Sequence, residues 1–174
     1  TGVCRGGFTQ LNWPLYDCCA DAQYFRAVNV GDKAIVYNSF VACDFVMGWC
    51  DWTGQINTWD LDTGNIEEIP WVQAANPPHS LGIPPVAIGQ AWGSIVALKT
   101  GVHAGKVMLI GGFYDFWGDV TNVNLYDPAT NTWAPENTIP DLTQFHTRAQ
   151  AIQLDDGTVL VAGSNTTAEI IDMT

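Results

Sequence analysis

The sequence predicts an all-β protein, a β-propeller of four-stranded antiparallel blades with about three blades present, and three observations carry that prediction. A strand-turn-strand pattern, clearest in residues 122–133 (NVNLYDPATNTW), returns along the chain. Before each copy stands a compact apolar run, the pattern of a strand covered on both faces. No stretch shows a helical apolar period with caps, whereas 17 glycines, 9 prolines and 11% aromatic residues suit short strands joined by tight turns.

Taken in order, residues 24–30 (YFRAVNV) and 33–39 (KAIVYNS) are the first strand and the first apolar run. Residues 56–69 (INTWDLDTGNIEEI) follow, with Ile56, Thr58 and Trp59 on a strand, Asp60, a turn at Thr63-Gly64, and a closing strand. The second unit repeats the layout in residues 93–101 (GSIVALKTG), 106–112 (KVMLIGG) and 122–133. There Val123 and Leu125 alternate with Asn122, Asn124 and Tyr126, the period of a half-buried strand; Asp127-Pro128 opens a turn, and the far arm carries Trp133. The third unit has residues 148–157 (RAQAIQLDDG), 158–164 (TVLVAGS) and 168–174 (AEIIDMT), and it stops where a turn should come.

Strand, turn, buried strand, variable loop, strand, Asp turn and strand, repeated about an axis, make a propeller. The expected division is a Cys-containing segment 1–23, a divergent first blade 24–72, a Pro-rich connector 73–87, a second blade 88–143 and an incomplete third blade 144–174. Three blades fall short of the roughly 4 to 8 that close a ring. The expectation is therefore a piece of a larger propeller, completed by the remaining blades of the same chain or by other protein subunits.

Residues 107–163 resemble the kelch repeat: the apolar strand ends in Gly111-Gly112, Tyr126-Asp127-Pro128-Ala129-Thr130-Asn131-Thr132-Trp133 follows, then Arg148, then an apolar strand closing on Gly163. One complete unit matches closely, the third partly, and the first in layout, since Asn38-Ser39 replace Gly-Gly. The resemblance implies blades of roughly 50 residues. It also implies that Asp127 caps its own turn, that Trp133 packs between adjacent blades, and that Gly111 and Gly112 let the backbone pass close to its neighbour.

Kelch-type propellers include the copper radical oxidases of the galactose oxidase and glyoxal oxidase group, and LDDGTVLVAGS (154–164) is similar to their phrasing. That resemblance implies two Tyr and two His around copper, one Tyr cross-linked to a Cys. The corresponding positions here are Arg148 and Gly93, so neither half of the cross-link is present. The expectation is no catalytic residue, no metal and no cofactor in these residues, with copper entering only if the chain is a fragment of such an oxidase.

Composition narrows the partners. Eighteen acidic against six basic residues give a net charge of −12, which repels a phosphate backbone and excludes nucleic acid as an expected partner. No apolar run approaches the roughly 20 residues of a spanning helix, so membrane insertion is not expected. Residue 1 is Thr, consistent with a processed form or a fragment. All five cysteines, Cys4, Cys18, Cys19, Cys43 and Cys50, fall in the first 50 residues. This clustering reads as disulfide staples in an extracellular or cell-surface protein: Cys43 with Cys50, and Cys4 with Cys18 or Cys19. Asn165-Thr166-Thr167 is a glycosylation acceptor pattern that fits the same compartment.

No nucleophile elbow or phosphate loop is present, and residues 60–65 (DLDTGN) lack the third acidic position of a calcium loop and read as a hairpin turn of the repeat. His79, His103 and His146 read as surface or turn histidines. The variable loops are more suggestive. Residues 41–54 (VACDFVMGWCDWTG) and 113–121 (FYDFWGDVT) follow equivalent strands and so emerge on one face of the propeller. Trp49, Asp51, Trp52, Tyr114, Asp115, Phe116 and Trp117 would then interleave flat aromatics with carboxylates, which suits a protein partner or glycans. The function expected is a non-catalytic structural or protein-interaction module, with a carbohydrate-binding propeller or a copper oxidase fragment as alternatives.

Overall fold

The computed structural model describes residues 24–44, 49–60, 71–73, 91–114, 118–135, 137–164 and 166–173. The regular structure among them is all β, and none of it is a helix able to cross a membrane. The first sheet runs β1 (Tyr24–Val30), β2 (Lys33–Asp44), β3 (Trp49–Asp60), β4 (Trp71–Gln73), hydrogen-bonded in that order. The second holds β5 (Ser94–Ala97), β6 (Val107–Ile110), β9 (Val123–Asp127) and β10 (Thr132–Trp133). A two-stranded ribbon, β7 (Phe113–Tyr114) and β8 (Gly118–Asp119), lies between β6 and β9 in the chain. The third sheet is β11 (Gln150–Gln153), β12 (Val159–Ala162) and β13 (Ala168–Ile171).

Every ladder is antiparallel, so each sheet is a meander, the arrangement of a propeller blade. Both β1 and β11 pack beside β5, so the first strands of the three sheets run next to one another. A cavity of about 390 Å³ opens between them, lined in part by Val28, Ile95, Lys99 and Ile152.

The period-2 pattern decides which side chains meet. Ile35, Tyr37 and Ile56 of the first sheet face Ile95, Val107, Leu109 and Tyr126 of the second. Alternate residues of the second sheet, Val96, Met108, Ile110, Val123 and Leu125, face Ala149, Val159, Val161 and Ile171 of the third. Each such aliphatic side chain contributes about 1.5–3 kcal/mol by leaving water. Covered on both sides, β6 is buried throughout, as its continuous apolar run requires.

The same sandwiching corrects the expectation for β9. Asn124 and Tyr126, the supposed exposed half of an alternating strand, are buried along with Val123 and Leu125. They occupy the face toward the first sheet. The third sheet has a neighbour among the described residues on one side only, and there the alternation survives. Ile152 is 58% and Ile170 64% exposed, and the two flank Leu160 in register.

The β9–β10 hairpin is held by its own acid. Because Pro128 has no N–H, Asp127 Oδ1 accepts from the next amide, Ala129 N, at 2.9 Å. The Trp133 ring lies 5.1 Å from that of Tyr126, tilted 47°, against the core between the first and second sheets. Gly111 (φ +58°) and Gly112 (φ +113°) leave β6 in conformations that side chains rarely adopt. A Cβ on Gly111 would fall on the His146 carbonyl oxygen, and one on Gly112 would lie 2.5 Å from the Ala91 carbonyl oxygen.

Candidate ligand-binding site

The strand ends that bound the two aromatic segments lie at one end of the sheets. Tyr24, at the start of β1, pairs with Ser39 late in β2, and Ser94, at the start of β5, pairs with Ile110 at the end of β6. The β2–β3 turn, the segment after β6 and the residues entering β5 and β11 therefore share that end. β2 and β3 carry the ladder through the first loop, setting Trp52 opposite Val41, Asp51 opposite Ala42, Cys43 opposite Cys50 and Trp49 opposite Asp44. The side chains of Trp49, Asp51, Trp52 and Tyr114 lie outside the described parts of the molecule. Asp115, Phe116, Trp117, Cys4, Cys18, Cys19, His79 and Asn165 lie outside the described residues altogether.

What the described residues bring together at this end is a cluster from three sheets. Trp92 and Arg148 each stand two residues before the first strand of a sheet, and both adopt left-handed backbone conformations, with φ of 54° and 59°. Bulky residues seldom do so, and the cost is of order 1–3 kcal/mol each. Arg148 N donates to Trp92 O at 2.7 Å, joining the two turns. The Arg148 guanidinium carbon sits 4.3 Å above the Trp92 ring, whose centroid is 5.2 Å from that of Phe113. The Trp92 turn is fixed from both sides. Trp92 N donates to Ser39 Oγ at 2.8 Å and Gly93 N to the Tyr37 hydroxyl at 3.1 Å, both on the first sheet, while the Ser94 hydroxyl bonds to Ala149 O, next to Arg148.

A second stack lies alongside. The Arg26 guanidinium carbon is 4.3 Å above the Tyr24 ring, and the Tyr24 hydroxyl reaches Ala149 O at 3.5 Å. Burial pushes the Tyr24 hydroxyl pKa up, against the opposing pull of Arg26, Ser94 and Arg148, so the phenol stays neutral. Two of the six cationic side chains of a chain with net charge −12 thus act on one hydroxyl. Among the described residues no carboxylate pairs with the exposed Arg148 guanidinium. Asp119, at the same end, accepts the Thr147 hydroxyl.

His146 is not the surface or turn histidine its loop setting suggests; it is fully buried. Nδ1 faces Gly163 O at 2.9 Å and, since a carbonyl only accepts, Nδ1 carries the hydrogen. Nε2 is 3.2 Å from Glu169 Oε1 without the alignment of a hydrogen bond. The Glu169 carboxylate is held by Thr143 N and Oγ1, both at 2.7 Å, and Gln144 N at 2.8 Å. The carbonyl of His146 in turn accepts from Gly112 N at 3.2 Å. These contacts tie the segment before the third sheet to both neighbours, a structural role.

Copper is the cofactor that a resemblance to radical oxidases implies, and the residues present do not fit it. A side chain at Gly93 would meet Leu109 Cδ1 at 2.9 Å and Gly111 O at 3.1 Å, and Arg148 places a cation at the other position. Among the described residues no group of three His, Cys, Asp or Glu is placed to hold a metal ion.

In the sequence Arg148 stands out as part of the kelch-like unit and, with Gly93, as a position where the oxidase cross-link is lacking. Trp92, Tyr24 and Arg26 do not stand out there, although the equal offset of Trp92 and Arg148 from their strands is a usable signal.

No family model matches the chain, and no curated protein matches it. Among solved structures it is similar to YjhT, with 16% identity, a TM-score of 0.51, and 83% of this chain aligned to 39% of that one. A fungal alcohol oxidase of the AA5 family, in complex with copper, aligns at 16% identity with a TM-score of 0.49, covering 82% of this chain and 28% of the oxidase. The chain thus spans well under half the length of either structure. At such identity the likeness to YjhT concerns the fold alone.

Proposed function

We propose that the protein is a non-catalytic, kelch-like propeller module of the cell exterior that works by joining other protein, whether further blades or a separate subunit. The observation that carries this reading is the outer face of the third sheet. Ile152, Leu160 and Ile170 form one row across β11, β12 and β13, and the two isoleucines stay more than half exposed. The opposite face of the same sheet buries Val159, Val161 and Ile171 against the second sheet. A sheet apolar on both faces is built to be covered on both. The cysteines confined to the first 50 residues and the Asn165 acceptor pattern support the extracellular setting.

Sedimentation velocity on the wild-type protein and on Ile152→Asp/Ile170→Asp tests it. The wild type should associate through this face and the double variant should sediment as a monomer with an unchanged near-ultraviolet spectrum. A wild type that is monomeric at all concentrations and as soluble as the variant would end the reading. The oxidase alternative is separately testable: alcohol- or aldehyde-dependent peroxide after copper loading would establish it against the Gly93 and Arg148 geometry.

A further inference from the structure

We propose that the Arg148–Trp92 and Arg26–Tyr24 stacks form an anion site for a small carboxylic acid at the loop-bearing end of the propeller axis. Three independent observations converge there. The first is backbone strain. Trp92 and Arg148 both hold positive φ at the same position relative to the first strand of their sheets, where Gly or Asn would sit without cost. Bulky residues kept in such conformations cluster at ligand sites, because only the surrounding structure can hold them there.

The second observation is pre-organisation. Hydrogen bonds from Trp92 and Gly93 amides to Ser39 and Tyr37, from Arg148 N to Trp92 O, and from Ser94 and Tyr24 to Ala149 O fix the turns from three sheets at once. Little conformational freedom is then left to lose on binding. The third is charge. The molecule is strongly acidic, yet two guanidiniums lie over aromatic rings at this end, and among the described residues the exposed one, Arg148, has the Trp92 ring beneath it and no carboxylate partner.

The Arg148 guanidinium, its central carbon 4.3 Å above the indole, uses the ring as a base and leaves N–H groups for a ligand. Paired N–H donors of that kind match the two oxygens of a carboxylate. The Trp92 and Phe113 rings beside it offer apolar surface to the body of the acid. The ligand class that fits is therefore a small monocarboxylate with an apolar or ring-shaped body. Binding needs no covalent step and makes no use of the outer face of the third sheet, so it stands independently of the assembly described above.

The test is a calorimetric titration of the protein with benzoate and with neutral benzamide, read in parallel by the shift of the Trp92 indole N–H resonance. Benzoate should bind saturably with a Kd on the order of 1 mM, as one charge-assisted pair with a stacked ring supplies, and benzamide at least ~10-fold more weakly. Arg148→Gln should lose benzoate affinity at least ~10-fold with its near-ultraviolet spectrum unchanged. Arg148→Gly should lose binding while unfolding at a urea midpoint no lower than the wild type, because Gly removes the strain. The proposal is overturned by absent saturation in the wild type, by benzamide binding as well as benzoate, or by full affinity in Arg148→Gln. An Arg148→Gly protein that unfolds well below the wild type would overturn it too, by showing that the arginine is there for stability.

Discussion

Replacing Tyr37 by Phe removes one oxygen from the contact between the first and second sheets. Tyr37 is fully buried, and its hydroxyl accepts from Gly93 N and from Ser39 Oγ, each at 3.1 Å. The ring and its packing survive the substitution, so the loss is that of the polar contacts alone. Gly93 is buried, and its N–H would be left facing a hydrocarbon edge, at a cost of about 1–3 kcal/mol; the Ser39 bond adds about 1 kcal/mol. The sum is about 2–4 kcal/mol, a large part of the stability of a domain this size. Urea unfolding followed by tryptophan fluorescence reads it as a lower midpoint with an unchanged m-value. A loss below about 0.5 kcal/mol would refute the account, because it would mean that water reaches Gly93 N and that the two sheets are not in contact there.

Other substitutions probe separate features of the fold. Gly111→Ala should destabilise by more than the ~1 kcal/mol of a left-handed alanine, since its Cβ meets backbone at His146 rather than a movable side chain; thermal unfolding checks it. Leu109→Ala, in the core between the first two sheets, should cost about 2–5 kcal/mol by urea titration, whereas Ile152→Ala, 58% exposed, should change the midpoint little. For Glu169, burial alone would raise the carboxyl pKa, but the bonds from Thr143 and Gln144 and the nearby His146 outweigh it and hold it below the usual range. A lowered folded pKa means that stability from this group is complete above the unfolded value of about 4.5 and is lost as pH falls through the folded one; Glu169→Gln should flatten that acid limb in pH-dependent unfolding. Cys43 and Cys50 are backbone partners in the β2–β3 register, a Cα separation that a disulfide spans, and a non-reduced peptide map should recover the two as one linked peptide.

Much of the fold was legible because the repeat writes local rules into the chain. The Asp127-Pro128 turn and the apolar run at β6 stand where their patterns indicate, and the glycines after β6 sit where the repeat puts them, against backbone at His146 and Ala91; β12, with the same kind of apolar run, is buried on one face only among the described residues. β9 was misread for a reason of the opposite kind. Asn124 is polar, so the strand looks half-buried, and only a blade packed on each side explains why Asn124 and Tyr126 are inside. His146 deceived in the same way, since a histidine in a loop is ordinarily wet and nothing local announces Gly163 O or Glu169. The Arg148–Trp92 stack joins residues of different units, and hydrophobic periodicity is blind to it. Superimposing the turns before the inner strands, where "AWGS" and "TRAQ" take equivalent places, would have brought them together.

The central claim is that the three sheets are consecutive blades with their first strands side by side. It is tested most directly by nuclear Overhauser contacts between the sheets in the isotope-labelled protein. The account predicts cross-peaks from the Tyr37 ring to the Gly93 amide, between the first and second sheets, and from Ser94 to Ala149, between the second and third. Sheets that each show their internal antiparallel contacts but lack both cross-peaks would contradict it.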